Sequence, residues 1–468
     1  MSKISKIICA IVIVCVVFLA GCAADTPTAP EAPAAPAAPA APAAPAAPAA
    51  PAAPVAPGAP ADDGVSRNVW DHWHPSLGAP DTFDENSPVY TMENRVPWQG
   101  IFMPPEASRL DQDFALQADN RILDRPLRVG YSTWSVGTPF FVAIRDVIET
   151  AAANHGWDLT FMASGGDLAA QMAQVETFIA MDVDVIVNHA TNAAAEALGI
   201  EQAVAAGIPV IGFGSPYPPG TPVVTVTASM NYEMAFEVGI IVADHFRDEP
   251  FLTTALSPGR MGHTISDSKL NGFLGGFSYG RAITLGMPFA TREDAMMHGF
   301  GLFEQVVSGA RFVDNMLNWE AVTAIPGEWS REGGQAAAED ILTAHPNIQF
   351  LFTDNDQQAM GAILAMRQAG FVPGVDIVIA CVGDGERTAL EHVRDGDILA
   401  VAIQSPDAWA GGVASLIHMI FTEGFDATNL PSVSFFEVVV ATRANVGPMI
   451  TDANFALLPP MSFAPLPN

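Results

Sequence analysis

Histidine side chains in the N-terminal part of this 468-residue sequence are the first candidates for site chemistry. His72 and His74 lie two positions apart, and imidazole groups at this spacing can bind a metal ion. No further cluster of metal ligands accompanies them, so an exposed or packed loop is the favoured interpretation. We therefore expect neither a metal site nor another cofactor.

Carboxylates and one cysteine are the remaining candidates for catalysis. We expect no Gly-x-Ser-x-Gly nucleophile elbow, no His-Glu-x-x-His zinc motif and no P-loop. Acidic residues could supply the carboxylate pair of a glycosidase, but they are abundant throughout the chain. Cys381 follows an apolar run, which favours a core position over a nucleophile. We therefore expect a protein that is not an enzyme.

The N-terminus combines a basic start with a short apolar run. Lys3 and Lys6 precede the apolar stretch 7–20, and Cys22 follows Leu19-Ala20-Gly21. These features are typical of a secretory signal. The ending resembles a bacterial lipobox, in which Cys22 would carry lipid and become the new N-terminus. An uncleaved anchor is the alternative, with much the same topology.

A proline-rich segment follows the apolar run. Proline occupies every third position from Pro27 to Pro60, mostly in Ala-Ala-Pro repeats. Polyproline II has three residues per turn, so we expect a stiff spacer with a reach on the order of 100 Å. Lipid at one end and a spacer behind it predict a globular body held away from a membrane surface.

The remaining sequence is hydrophobic enough to fold and strongly acidic. Half of all residues are hydrophobic, which suits one large core or two lobes. Acidic residues number 51 against 20 basic ones, a net charge of −31, so nucleic acid is an unexpected partner. Cys381 would be the one thiol left free after processing, so no intrachain disulfide is expected.

Strands and helices alternate beyond residue 126, which indicates βαβ units and parallel sheets. Gly156, Gly207 and Gly370 each follow a predicted helix and are typical helix-ending residues. The predicted strands are 127–132, 159–163, 183–188, 209–214, 348–352, 377–382, 399–404 and 435–441. The predicted helices are 140–155, 167–181, 193–206, 336–344, 358–369, 386–394 and 408–423.

Several stretches of this region resemble the type I periplasmic sugar-binding proteins of bacterial ABC transporters, the ribose- and galactose-binding group. No single stretch is specific, but their order and spacing together are, from about Leu127 to Gly447. They are Thr138-Pro139-Phe140-Phe141, Gly166-Asp167, Asp184-Val185-Ile186-Val187-Asn188, Ala205-Ala206-Gly207-Ile208-Pro209, Asp354-Asn355-Asp356, Gly383-Asp384-Gly385, Gln404-Ser405-Pro406 and Thr442-Arg443-Ala444-Asn445-Val446.

The resemblance implies an α/β fold of two Rossmann-like lobes with parallel sheets, joined by a hinge of three crossovers. We expect the crossovers near Ser229–Asn231, Gln404 and Glu437. The expected segments are a signal peptide 1–21, a lipidated cysteine and tether 22–61, an extension 62–126, a first lobe 127–230 plus 405–437, a second lobe 231–404 plus 438–450 with an insertion around 274–320, and a tail 451–468. Residues 286–304 are expected to belong to an added subdomain near the cleft.

The resemblance also implies which side chains contact the ligand. Sugars have apolar faces and polar rims, so aromatic plates and hydrogen-bonding groups are expected around them. For each residue the alternative is ordinary: core packing, a surface loop, a helix cap or a surface ion pair. The implied contacts are Phe140, Phe141, Trp134, Trp329, Asn355, Asp384, Gln404, Asn192 and Lys269.

Two departures from the family pattern concern the first lobe. The family often has Asp-Arg after the fourth strand, where this chain has Phe213-Gly214-Ser215. An aspartate before Asn231 is replaced by Met230. We therefore expect a first lobe less polar than a ribose site, and a ligand that is larger, deoxygenated or not a simple pentose.

The function implied is that of a lipid-anchored solute-binding protein on the extracytoplasmic face of a bacterial membrane. It would deliver a sugar or sugar-like molecule to an ABC permease, and we expect a monomer. A sensor that presents its ligand to a receptor remains an alternative, as does, less favoured, a secreted carbohydrate-active enzyme. A repressor sharing this fold is disfavoured by the export signal and the acidity.

Overall fold

The computed structural model of the chain describes residues 96–98, 101–103, 125–214, 217, 220–290, 292–427, 430, 433–435 and 438–458. Cys22, His72, His74 and the proposed signal and tether lie outside these residues, as does Glu437. A short antiparallel pair, β1 (Val96–Trp98) and β2 (Ile101–Met103), precedes the main body.

Six strands form a first sheet in which every neighbouring pair is parallel, in the order β14-β7-β6-β5-β3-β4. Helices follow the strands, as the alternating sequence pattern predicts. The strands are β3 (Arg128–Thr133), β4 (Asp158–Ala163), β5 (Val185–His189), β6 (Val210–Phe213), β7 (Val226–Ala228) and β14 (Val433–Phe435). The helices are α1 (Pro139–His155), α2 (Leu168–Ala180), α3 (Ala193–Ala205) and α10 (Pro406–Thr422).

Seven strands form a second sheet in the order β15-β13-β12-β11-β8-β10-β9, with an antiparallel strand at each edge. Its strands are β8 (Leu252–Ser257), β9 (Phe312–Asp314), β10 (Trp319–Ala324), β11 (Phe350–Thr353), β12 (Val378–Gly383), β13 (Ala400–Ile403) and β15 (Val440–Thr442). Its helices are α4 (Asn231–His245), α5 (Thr264–Thr284), α6 (Arg292–Gly309), α7 (Arg331–Ala344), α8 (Asp356–Gln368) and α9 (Arg387–Asp395). The expected α/β fold with two largely parallel sheets is confirmed.

Within the described residues, the chain passes between the two sheets at three points: after β7, after β13 and after β14. The expectation of one final strand over 435–441 is wrong, because β14 and β15 belong to different sheets. A run of apolar residues fits a buried strand anywhere in a sheet, so the pattern alone does not locate the break.

Each sheet is covered by helices on both faces, so both sheets are buried as parallel sheets require. In the first sheet, Tyr131 and Val187 pack with α1 and α10 on one face. On the other face, Ile186 shares a core cluster with Phe178 of α2. In the second sheet, Phe350 faces α4 and α5. Burying each such side chain stabilises the fold by roughly 1.5–3 kcal/mol.

The region of the expected insertion forms α6 and β9, and it is not a separate subdomain. Leu302, Phe303 and Val306 of α6 pack into the second-sheet core with Phe312 and Trp319. The two helices α5 and α6 approach so closely that a Cβ at Gly299 would lie 2.6 Å from the backbone N of Gly275. The described residues of this region pack with the second sheet and do not border the cavity described below.

Gly276-Phe277-Ser278-Tyr279-Gly280 has the spacing of a nucleophile motif, contrary to our expectation that none exists. The stretch lies inside α5, however, and the Ser278 hydroxyl donates to the backbone oxygen of Leu274 at 2.7 Å. A nucleophile elbow needs a sharp strand-to-helix turn that exposes the serine.

Among the described residues, no helix is both long and apolar enough to span a bilayer.

Candidate functional site

A cavity of about 200 Å³ lies where the carboxyl ends of strands from both sheets meet. Side chains that follow β3 and β5 line it from the first sheet, and side chains that follow β8, β11 and β12 line it from the second. Ligands of open α/β sheets bind at this end of the strands. The cavity is therefore the candidate site.

Aromatic rings make up most of the first-sheet wall. Trp134 follows β3, and its ring centroid lies 4.8 Å from that of Phe141 in an edge-to-face arrangement. Phe140 and Phe141 begin α1, where Pro139 occupies the first turn, and both are almost fully buried. Trp409 of α10 completes the wall, and its indole N–H donates to the backbone oxygen of Thr227 at 3.0 Å.

His189 ends β5 and brings an imidazole into this aromatic wall. Its ring centroid lies 4.6 Å from that of Phe213 and 5.3 Å from that of Phe141. Nδ1 lies 3.4 Å from the Thr133 hydroxyl, and Nε2 makes no hydrogen bond with the described residues. Burial, with a smaller contribution from nearby His263, lowers the pKa of His189 to about 3. The ring is therefore neutral at physiological pH.

Trp329 dominates the second-sheet wall, and three neighbours fix its position. Its indole N–H donates to Asp354 Oδ1 at 3.1 Å. Its backbone is left-handed, with φ of 53°, which is uncommon for a residue other than glycine. A Cβ at Gly259 would lie 2.0 Å from the indole nitrogen, so only glycine leaves room for the ring. The Arg260 guanidinium lies 5.6 Å from the ring centroid.

Lys269 borders the cavity, but its ammonium group is fully engaged. It lies 3.0 Å from Asp354 Oδ1 and donates to the backbone oxygens of Asp354 and Val382 at 3.1 and 3.0 Å. Asp354 Oδ2 in turn accepts from the Ser266 hydroxyl and the Gly259 N–H. Lys269 therefore holds Asp354, and through it Trp329, in place.

Asp384 is the least satisfied acidic group at the site. Its carboxyl lines the cavity, is 9% exposed and has no hydrogen-bond partner among the described residues. Burial and the neighbouring Asp356 raise its pKa well above the ordinary range, against the opposing effect of Lys269. Asp356 accepts from the backbone N–H of Asp384 and Glu386, and burial raises its pKa to about 6.

Two amide side chains also reach the cavity. Asn355 caps α8, accepting from the Gln358 N–H at 3.0 Å, and donates to the backbone oxygen of Trp329 at 3.3 Å. Gln404 follows β13 and accepts from the Ser229 hydroxyl at 2.7 Å. That bond joins two of the three passages between the sheets. The Gln404 amide N–H₂ has no partner among the described residues.

Asn192 is not brought to the cavity. Its Oδ1 accepts from the Ala195 N–H at 3.0 Å and its backbone N–H donates to Glu196 at 2.9 Å. These are the contacts of a helix cap, the alternative weighed for this residue. The other eight residues that the resemblance implies all border the cavity.

Sequence reasoning missed several lining residues. His189 is the last residue of β5, whereas the strand predicted there ended at residue 188. Because ligands bind at strand ends, a prediction with the correct strand end would have included His189. His263, whose pKa burial lowers to about 4, lies edge-on to Trp329 at 4.8 Å in a loop without a sequence signal. The others are Ser135, Thr138, Pro139, Ala190, Arg260, Ile265, Glu328, Gln357, Glu386 and Trp409.

Known proteins resemble this chain over the same region. The ribose import binding protein RbsB of Bacillus subtilis is 26% identical over 299 residues, covering 64% of this chain and 80% of RbsB. A structure from Mycobacterium smegmatis in complex with β-D-fucofuranose has a TM-score of 0.56 at 20% identity, covering 69% of this chain and 94% of its own.

A third similarity supports the same fold. The periplasmic binding protein of the arabinose ABC transporter from Shewanella sp. ANA-3, bound to α- and β-L-arabinofuranose, has a TM-score of 0.54 at 22% identity, covering 69% of this chain and 93% of its own. The family described as periplasmic binding protein domain matches residues 129–423, more than half of the chain. This protein therefore belongs to the periplasmic binding protein family, a family of non-enzymatic binding proteins, and has its type I fold.

Proposed function

We propose that this protein binds a sugar or sugar-like molecule in the cavity between its sheets and delivers it to the permease of an ABC transporter. The observation that carries the proposal is an aromatic wall facing Asp384, a buried carboxyl without a hydrogen-bond partner among the described residues. Such a group is costly to bury unless a ligand hydroxyl completes its hydrogen bonds.

The dimensions of the cavity agree with a single sugar ring. A protein cavity of ~150 Å³ holds one benzene molecule. The cavity here has about 200 Å³, enough for a ring with substituents. The relatives named above are described as binding ribose, fucofuranose and arabinofuranose, which are single-ring sugars.

We assign the ligand contacts to residues of both sheets. Phe140, Phe141 and Trp134 would cover the apolar part of the ligand from the first sheet, and Trp329 from the second. Asp384 and the Gln404 amide would bond to hydroxyls. Asn355 and Lys269 would act mainly by holding Trp329 and Asp354.

Thermal unfolding with and without candidate ligands tests this proposal. The chain with Cys22→Ser, which cannot be lipidated, would be screened against pentoses, hexoses, deoxysugars, polyols and nucleosides. A ligand of the native state raises the melting temperature in a concentration-dependent way. A hit that Asp384→Ala weakens supports sugar binding at this cavity. If no compound of the panel raises the melting temperature of folded protein freed of carried-over ligand, the proposal of sugar binding is contradicted.

The lipid anchor is a separate part of the proposal and rests on the sequence of the N-terminus. Growth with radiolabelled palmitate should label the parent chain but not Cys22→Ser, because the lipid would be attached at Cys22. Cys15→Ser is the matched control, because Cys15 lies within the proposed signal. Absence of label from the parent chain, or equal label in Cys22→Ser, would contradict lipidation at Cys22.

Delivery to a permease and presentation to a receptor differ in what cells lose without this protein. Uptake of the radiolabelled sugar identified by the screen should fall when the gene is deleted and return with the intact gene. Normal uptake together with a lost response to the sugar would favour the sensor.

A further inference from the structure

The two walls of the cavity differ in chemistry. The second-sheet wall offers charged and amide groups, among them Asp384, Glu386, Asn355 and Gln357. The first-sheet wall consists mainly of carbon, and its apolar side chains are Trp134, Pro139, Phe140, Phe141, Ala190 and Trp409. A ligand that fills the cavity must therefore present two unlike edges.

Few polar atoms of the first-sheet wall are free for a ligand. The Trp409 indole N–H donates to the Thr227 backbone oxygen, and His189 Nδ1 lies near the Thr133 hydroxyl. His189 is 3% exposed, and its Nε2 makes no hydrogen bond with the described residues. Ser135, Thr138 and Trp134 are partly exposed.

We propose that the ligand is a sugar with a methyl group in place of its terminal hydroxymethyl group, and that this methyl-bearing edge contacts Phe140, Phe141 and Ala190. The remaining hydroxyls bond to the second-sheet wall. This inference rests on the proposed function, because it specifies the class of sugar bound at that same site.

The physical reason is the cost of an unpaired hydroxyl. A terminal hydroxyl pressed against Phe140, Phe141 and Ala190 loses its hydrogen bonds to water, and these side chains carry no polar atom to replace them. A methyl group in the same place gains from burial. Apolar pockets reject an added hydroxyl by factors up to about 100-fold. We therefore expect the methyl-bearing sugar to bind about 10- to 100-fold more tightly than its hydroxymethyl counterpart.

Matched sugar pairs test the inference by isothermal titration calorimetry on the chain with Cys22→Ser. The pairs are D-fucose with D-galactose, L-fucose with L-galactose and L-rhamnose with L-mannose, each differing by one terminal hydroxyl. At least tenfold tighter binding of the methyl-bearing member in the tightest-binding pair supports the inference. Equal or tighter binding of a fully hydroxylated hexose or pentose overturns it while leaving the proposed function intact. No binding by any sugar overturns both.

A serine introduced into the first-sheet wall tests whether the methyl group of the sugar contacts this wall. Ala190→Ser adds one hydroxyl where the wall borders the cavity and should reduce the preference for the methyl-bearing sugar at least threefold. Ala195→Ser, on an exposed turn of α3 away from the cavity, is the matched control and should leave the preference unchanged. An unchanged preference in folded Ala190→Ser would overturn the assignment of the methyl contact to this wall.

Discussion

The indole rings of Trp134 and Trp329 lie 6.5 Å apart between centroids, although one follows a strand of the first sheet and the other precedes a helix of the second. Each ring is held by its own sheet: Trp134 packs on Phe141, and Trp329 is hydrogen-bonded to Asp354. Any change in the separation of the sheets must therefore change this contact. Tryptophan fluorescence should respond to ligand-induced closure, and the response should weaken in Trp134→Phe.

Replacing Gly259 by alanine should disturb the site without filling it. The added Cβ would meet the Trp329 indole nitrogen at 2.0 Å, so the ring must leave its place against Asp354. We expect a loss of ligand affinity of at least about tenfold, since about 1.4 kcal/mol of lost contact suffices. Calorimetric titration with the sugar identified by the screen measures this loss of affinity.

Gly301→Ala is the control for this change. Gly301 lies in α6, and an added Cβ there would meet no atom within 4 Å outside the nearby backbone of its own helix and its two chain neighbours. Alanine there should leave affinity unchanged and raise the free energy of unfolding by about 0.5–1 kcal/mol, because alanine favours helix. Unaltered binding in folded Gly259→Ala would contradict the role of Gly259 in placing Trp329.

Asp384→Ala should have opposite effects on binding and on stability. The carboxyl is buried without a hydrogen-bond partner among the described residues, and burial raises its pKa. Removing it should raise or preserve the free energy of unfolding at pH 7.5, while sugar affinity falls about tenfold or more. Asp395→Ala, at an exposed carboxylate, is the control. Lower stability with unchanged affinity would mark Asp384 as structural.

Acid should destabilise the fold through the two histidines at the cavity. Burial lowers the pKa of His189 to about 3 and that of His263 to about 4, so the folded form binds their protons less readily than the unfolded chain does. Their contribution to stability is therefore complete above about pH 6.5 and is lost as the pH falls towards 4.

Urea unfolding at pH 7.5, 5.5 and 4.5 measures this dependence. His189→Gln should lose less stability between pH 7.5 and 4.5 than the parent chain, because one titrating group is gone. His345→Gln, at the end of α7 and outside the cavity lining, controls for removing an imidazole. Identical pH profiles in the parent and His189→Gln would contradict the argument.

Lys269→Met should be among the most destabilising single changes at this site. It would leave Asp354 buried and without its partner cation, which typically costs about 3–5 kcal/mol. The double variant Lys269→Met with Asp354→Asn should recover part of that loss, because the buried charge is gone. Urea denaturation of the single and double variants measures the two free energies of unfolding. No recovery would show that the ion pair is not the source of the loss.

Much of the fold could be predicted because local signals and the global fold agree. Gly156 ends α1 with φ of 68°, and Gly207 and Gly370 likewise adopt positive φ just beyond their helices. Buried parallel strands such as Val378–Gly383 read as continuous apolar runs. The break between β14 and β15 had no such signal, since both sides of it are apolar.

The site was predictable where it follows strand ends and less so elsewhere. Asp384 comes directly after β12, at the sheet edge where ligands bind, and the family resemblance implied the same residue. Trp409 reaches the cavity from within α10, through tertiary packing that no local pattern encodes. Asn192 follows a strand end as well, but its side chain caps α3 and accepts from the Ala195 N–H.

The engagement of Lys269 has a practical consequence for labelling. It is the one lysine beyond Lys6, and Cys381 is the one cysteine beyond Cys22. Both side chains are buried, so amine- and thiol-directed dyes should react poorly with the body of the folded protein. A cysteine introduced at the exposed Val136, two residues from Trp134, would then accept a fluorophore selectively and could turn the protein into a reagentless optical sensor for its ligand.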